Sequence, residues 1–519
     1  MSPEDDTPKQ SSRRRFLATA VATATAATAT SSAVTGSKAT APGELSSRGA
    51  ALSSEYDTVV DVTEAGADDT GNEPINSVLN RLCNDGATDT LLRFPPGTYA
   101  MDEMFRLVAY DRVGFVGDDA TVVPTADFDD SAPWLFRLGV LADPGRDLLF
   151  EGFTFDFTAP DTGMRALEAQ VTDGLAVRDV NVVGFHDGGT LGPAMFDVLD
   201  PDGWGTVERF RAPDGGAYSA NTDGNIAVGP TGVLVSPYHR GTLRLRDLEV
   251  GGFPDNGLYA DTPDGRVLVE GGRYRNSNVA SVRVAGDGSR VRGTRIEVTH
   301  NRPEDVNQRG LRLDAGADLR VENVGIELTR PNGYALSVQD EVESARIEGV
   351  NVAVADRPNT AMVVAPTANR VTVADSEIHL GGGGYALAAF GDAPGPVVAR
   401  NLSVYGWATG GAGRPAVLCH RDHCEFHDLA VYQPGEDRRA IDVRGDDCLV
   451  SGGTYMASDT PLYNTGSRTR FEGVTADSWG DSPALYLLDG DGVEVVDCDL
   501  SGGVRTGGGT FATRSGNST

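Results

Sequence analysis

The sequence predicts an all-β chain wound as a right-handed parallel β-helix, a solenoid of roughly 12 or more coils with a short N-terminal capping helix. Three observations predict it. First, an apolar anchor followed by x-(Asp/Gly/Asn)-x-x-apolar recurs at Leu245, Val269, Val291, Val321, Ile347, Val373, Ala399, Phe426, Val450, Phe471 and Val495, at intervals of 21 to 30 residues. Phe115, Phe150 and Val177 fit the same frame upstream. Second, between anchors lie short, strictly alternating runs such as "GLYAD" (257–261), "SVRVA" (281–285), "GLRLD" (310–314) and "ALSVQ" (335–339), the period of a strand with one face in and one out. Third, no helical periodicity appears beyond about residue 85. Such short strands cannot each bury a face alone, but stacked as successive coils they can.

The elements follow in chain order. Ser12-Arg13-Arg14-Arg15-Phe16-Leu17 opens an Ala/Thr/Val stretch and resembles the twin-arginine export pattern, which implies a signal peptide over 1–33 and a secreted, extracellular protein. Residues 34–54, rich in Ser, Thr, Ala and Gly, read as a linker. The β-helix runs from 55 to 501. A helix from Pro74 to about Cys83 covers its first coil. The frame breaks between Val177 and Leu245, an interval of 68 residues, so 185–231 reads as an insertion loop. The Gly-rich end, 502–519, reads as a disordered tail.

The formal net charge is −31, which excludes nucleic acid and anionic membranes as natural partners. No stretch approaches the roughly 20 apolar residues of a membrane span. The only lysines are Lys9 and Lys38, and every later cation is Arg. That pattern resembles the acidic proteins of salt-loving archaea, whose self-repulsion molar salt screens over about 3 Å. Of the five Cys, Cys424 and Cys448 hold the same place relative to their anchors, which predicts a stacked buried thiol pair or a disulfide. His423, Glu425 and His427 alternate along the same segment, an outward zinc-type face against the alternative of ordinary surface over a core of Cys424 and Phe426.

Residues 59–101, from "VVDVTEAGADDTG" to "FPPGTYAM", resemble the opening of the pectate-lyase/pectin-lyase superfamily: a strand, a Gly-Ala-Asp segment, a helix, and a strand ending in Phe94-Pro95-Pro96-Gly97-Thr98-Tyr99. The resemblance implies the fold strongly and the reaction weakly, since that fold hosts lyases, hydrolases, isomerases and non-catalytic adhesins. Asn221-Thr222-Asp223-Gly224 is spelled like a polygalacturonase motif. The Gly-His-Gly and Arg-Ile-Lys groups of that family are missing, and the nearest Asp-Asp-Cys is Asp446-Asp447-Cys448, far downstream.

If the alternating runs form one sheet, its outward residues stack in columns. One reads Leu234, Tyr259, Arg283, Arg312, Ser337, Val363, Ala388; its neighbour reads Glu168, Ser236, Asp261, Ala285, Asp314, Gln339. The insertion brings Trp204 and Tyr218, and "THNRPEDVNQRG" brings His300 and Arg309. Together they describe a groove suited to a uronate polysaccharide: Arg for carboxylates, Tyr and Trp for sugar rings, carboxylates for Ca²⁺ or proton transfer. The candidate catalytic groups are Arg283, Arg312, His300, Asp261 and Asp314. The candidate substrate-binding groups are Tyr259, Arg309, Trp204, Tyr218 and Glu168. A lyase is favoured over a hydrolase; an epimerase and a non-catalytic glycan-binding solenoid are the alternatives. No cofactor is required by the sequence, and Ca²⁺ is the one the groove would take.

Overall fold

The computed structural model describes residues 54–519 apart from 84–85, 130, 190, 223–227, 356, 392, 394 and 412. The export pattern, the linker up to residue 53, Asp223 and Gly224 lie outside the described residues. The fold is a parallel β-solenoid of about 16 turns built from three ladders. The third ladder is a separate 16-stranded sheet running from Phe105–Leu107 to Val504–Thr506. The first and second are joined in one 31-stranded sheet by long strands that turn the corner between them, such as Asp111–Pro124 and Arg370–Leu380. Pairing throughout these ladders is parallel.

The sequence anchors are the inward column of the first ladder. Phe115 pairs with Phe150, Phe150 with Val177, and Leu245 with Val269; the column continues through Val321, Ile347 and Val373 to Val495. Two residues past each anchor the chain turns into the second ladder through a left-handed residue: Asp179, Asp247, Asn323, Asp375, Asn401, Asp428 and Asp497 have φ between +47° and +54°. Gly, Asn and Asp tolerate that region best, which is why they mark the repeat. Stacking decides which of them appears. A Cβ on Gly271 (φ +67°) would sit 2.2 Å from Asp247 Oδ1 of the previous coil.

Two boundaries differ from expectation. Residues 185–231 are not one insertion: Ala194–Val198 and Trp204–Glu208 are regular strands, and Val207 pairs with both Val177 and Leu245. No Gly, Asn or Asp marks this coil, because its corner residue is Arg209, at φ +53°. Arg209 is held there by two hydrogen bonds to Asp179, at 2.6 and 2.8 Å, and by Glu208. Residues 502–519, expected to be disordered, form strands at Val504–Thr506 and Phe511–Ser515 that continue the third and first ladders.

A single apolar core fills the solenoid. Phe115, Phe136, Phe150 and Phe153 pack with centroids 4.6 to 6.4 Å apart near the N-terminal end. The helix expected over 74–83 forms at Asn76–Leu82 and buries Val78 and Leu79 in this core. Cys424 and Cys448 stack as predicted, as free thiols beside a third, Cys419. Cys419 and Cys448 both donate to the carbonyl of Arg421. The fully buried guanidinium of Arg421 in turn donates to backbone carbonyls including those of Ala365, Ala368 and Phe390.

Candidate functional site

The third ladder aligns the expected column. Leu234, Tyr259, Arg283, Arg312, Ser337, Val363 and Ala388 are paired in successive coils, side chains outward. Asp261 and Asp314 stand in the column beside it. Glu168 does not: it pairs with Arg137 and Met195, in the Tyr259 column, and the place beside Ser236 belongs to Asp197. The regular coil at Ala194–Val198 stands between Glu168 and Leu234 and accounts for the difference.

Tyr259, Asp261, Arg283, Arg312 and Asp314 form one connected cluster. The Tyr259 hydroxyl donates to Asp261 Oδ2 at 2.9 Å, and the Arg283 guanidinium lies 4.1 Å from the Tyr259 ring centroid. Asp314 accepts from Arg283 on one oxygen and from Arg312 on the other. The cluster is half-buried, so these charge-assisted bonds are little screened. Burial, reinforced by Asp261 and opposed by Arg283, pushes the Tyr259 hydroxyl up to about 12, so it stays protonated. Arg309 stands apart. Its guanidinium is 6.0 Å from the Tyr334 ring, its Nε is buried without a hydrogen-bond partner, and it has no carboxylate of its own among the described residues. Burial first, then Arg312 and Arg283, press its pKa below the ordinary arginine value.

The other expected residues are not brought there. His300 lines a separate cavity of about 240 Å³ with Phe185, Asp214, Arg275 and Arg302, none of them in the Tyr259 cluster. Its place at the far end of the second-ladder strand Arg295–Val298 puts it a corner away from Arg312. Trp204 opens a strand of the first ladder, 5.1 Å beneath the Arg244 guanidinium. Tyr218 is buried, donating to Asp305 Oδ1 at 2.6 Å under Arg302, and thereby latches 213–222 to 300–309. Glu168 is buried too, bound by Trp134 Nε1 (2.8 Å), Arg137 (2.9 Å) and Arg165 (3.2 Å). Tyr218 and Glu168 serve the fold, because their polar atoms are already consumed by neighbours. Asn221 ends a 3₁₀ turn, Ser219–Asn221, off the ladders altogether.

One region was missed. The Tyr259 column turns apolar at Val363, Ala388 and Leu418, as read, but becomes polar again at Asp442, Tyr463, Tyr486 and Arg505. Asp442 is fully buried between Arg444 (2.9 Å) and Arg439 (3.8 Å), and Arg439 lies 3.7 Å over Tyr463. Continuing the column past Ala388 would have found it.

No three His, Cys, Asp or Glu side chains among the described residues converge so as to hold a metal ion. Glu425 and His427 share a strand and bond to one another at 2.8 Å, but His423 lies before it, at a left-handed turn (φ +55°). Calcium does not fit the Tyr259 cluster. Both oxygens of Asp314 face guanidinium groups, and Asp261 accepts the tyrosine proton.

Fold and surface define a parallel β-solenoid with an arginine-, aspartate- and tyrosine-bearing cluster on one outward face. No protein-family model matches the chain, and a comparison with curated proteins returned no match. Among solved structures it is similar to a mannuronan C-5 epimerase A-module of Azotobacter vinelandii, 14% identical over 88% of this chain and 98% of that one, TM-score 0.34. It is similar also to the catalytic unit of an α-1,3-glucanase of Streptomyces thermodiastaticus (14% identical, 89% and 69% covered, TM-score 0.34). A third is PfbA, a surface adhesin of Streptococcus pneumoniae (8% identical, 88% and 93% covered, TM-score 0.32). Two of these neighbours are named as enzymes and the third as an adhesin.

Proposed function

We propose that this chain binds an acidic, carboxylate-bearing polysaccharide across the Tyr259–Asp314 cluster and cleaves it by elimination. The observation that carries this is Arg309. A half-buried guanidinium with no carboxylate of its own among the described residues, set beside two further arginines, is a receptor for an anion. Arg309 takes the uronate carboxylate, and the outer edges of Arg283 and Arg312 stabilise the enolate that forms when the α-proton leaves. Asp261 is the carboxylate of the cluster not bound by arginine, which makes it the base. As it takes the proton, the electron pair forms the C4–C5 double bond and the C4–O bond breaks. Tyr259, kept protonated, gives its proton to the departing oxygen and regains one from Asp261 across their 2.9 Å hydrogen bond. Hydrolysis fits less well, because it needs two working carboxylates and Asp314 and Glu168 are both bound by arginine. Export through the Ser12–Leu17 pattern and a high-salt setting belong to the same proposal.

One observation favours a second reading. Asp314 is sealed by two arginines, as a static ion-pair network would be, which suits a binding scaffold. The test is to incubate the protein with pectate and alginate in molar salt, recording unsaturated-uronate absorbance together with reducing ends. Absorbance rising with reducing ends is the expected result. Reducing ends alone would make it a hydrolase, and silence in both channels from folded protein would leave the scaffold.

A further inference from the structure

The second ladder's outward face changes character along the solenoid. Its earlier coils carry a charge ladder: Arg273 pairs with Glu297 at 2.6 Å, Arg275 with Glu249 at 3.5 Å, and Arg295 with Glu327 at 3.5 Å. From Ala353 onward the same column reads His379, Tyr405, Tyr432 and Met456, with Ser403, Ala430 and Thr454 beside them. Trp407 lies just past the strand, beyond a bend at Gly406 (φ +121°), and Trp479 closes on Tyr432 with ring centroids 4.7 Å apart. The rings are open to solvent: Trp407 is 66% exposed, Tyr432 53%, Trp479 43% and Tyr405 39%. Two of the chain's four tryptophans are here.

A highly charged surface that loses its charges and gains exposed aromatics over consecutive coils marks a binding surface. The occupant follows from what surrounds the rings. Between them stand Ser403, Ala430 and Thr454, small residues that leave the rings standing clear as flat faces with polar tips, the shape on which the face of a sugar ring stacks. Glu377, which accepts from the Tyr405 hydroxyl, and Asp477 at the strip's end repel anions, and no arginine stands in the aromatic column to attract one. We infer that this strip is a second glycan-binding surface, for an uncharged polysaccharide whose sugar faces stack on Tyr405, Trp407, Tyr432 and Trp479. It lies on a different ladder from the Tyr259 cluster and takes the opposite class of sugar. The two together would hold an acidic chain within a neutral matrix.

The test titrates the full chain with xylohexaose, cellohexaose and mannohexaose, following tryptophan fluorescence, with hexagalacturonate as the charged comparator. At least one uncharged hexaose should quench saturably. Trp407→Ala with Tyr432→Ala should weaken it roughly tenfold or more, and should leave uronate turnover and the circular dichroism of the exposed-site variant unchanged. Three results overturn the inference. One is the absence of binding by any uncharged hexaose up to millimolar concentration. Another is quenching that the double variant leaves intact. The third is sedimentation of the wild type as a dimer that the double variant abolishes, which would make the strip a contact between copies.

Discussion

The Tyr259 cluster and the aromatic strip are two outward faces of one solenoid, and they differ in what their polar atoms do. In the cluster, arginines, aspartates and a tyrosine are half-buried and bound to one another, leaving Arg309 as the unmatched charge. In the strip the rings stand out in solvent with few charges near. Both rest on parallel strands stacked coil on coil, so each face is set by which side chains successive coils place outward and in the turns that follow, as expected where each coil contacts just its neighbours.

Four experiments break or sharpen that contrast. Asp261→Asn should cost the largest factor, about 10² to 10⁴ in uronate turnover, with uronate affinity and hexaose binding intact; full turnover in this variant would remove Asp261 as the base. Acidification comes next. Burial holds His186 down to about 4, its Nε2 donating to Met164 O at 2.7 Å. Its unfolded value is near 6.5. Above that value the group contributes no pH dependence. As pH falls from about 6.5 to about 4, the unfolded chain takes up a proton that the folded one refuses, and about 3 kcal/mol of stability is lost. Hydrogen exchange should therefore quicken first in the coils around residues 164–198, on the cluster's side, and last in the strip. Uniform loosening would show that the solenoid unfolds as one unit. Arg309→Ala should weaken uronate binding roughly tenfold and leave uncharged hexaoses untouched, the mirror image of the strip variant. The smallest effect lies at a corner outside both faces. Arg209→Asn puts at φ +53° the residue type found at Asn323 and Asn401, but it gives up the bonds to Asp179. Thermal unfolding should move by no more than the equivalent of about 1 kcal/mol.

The repeat was legible because it is local. An apolar anchor, a left-handed corner and an alternating strand are each set by a few adjacent residues, so Leu245 to Val495 and the column from Leu234 to Ala388 could be read directly. The coil through Val207 was not, since Arg209 stands where Asp, Asn or Gly marks the others, and its stability comes from Asp179 a full coil away. Likewise the strands after Gly502 are held by pairing with Leu485 and Val493, which composition does not reveal.

By itself the sequence determined the all-β solenoid, the inward and outward faces of its strands, and the alignment of Tyr259, Arg283 and Arg312 with Asp261 and Asp314 beside them. Those follow from period and alternation, which the chain carries at every coil. Only the tertiary structure decided which polar groups are spent and which remain free. It bound Glu168 and Tyr218 into the fold, kept His300 and Trp204 away from the cluster, left Arg309 without a carboxylate among the described residues, and brought Trp479 against Tyr432 beside Tyr405. The reason is that hydrogen-bond satisfaction depends on neighbours 20 to 90 residues away along the chain, brought together by stacking, and no local pattern encodes them.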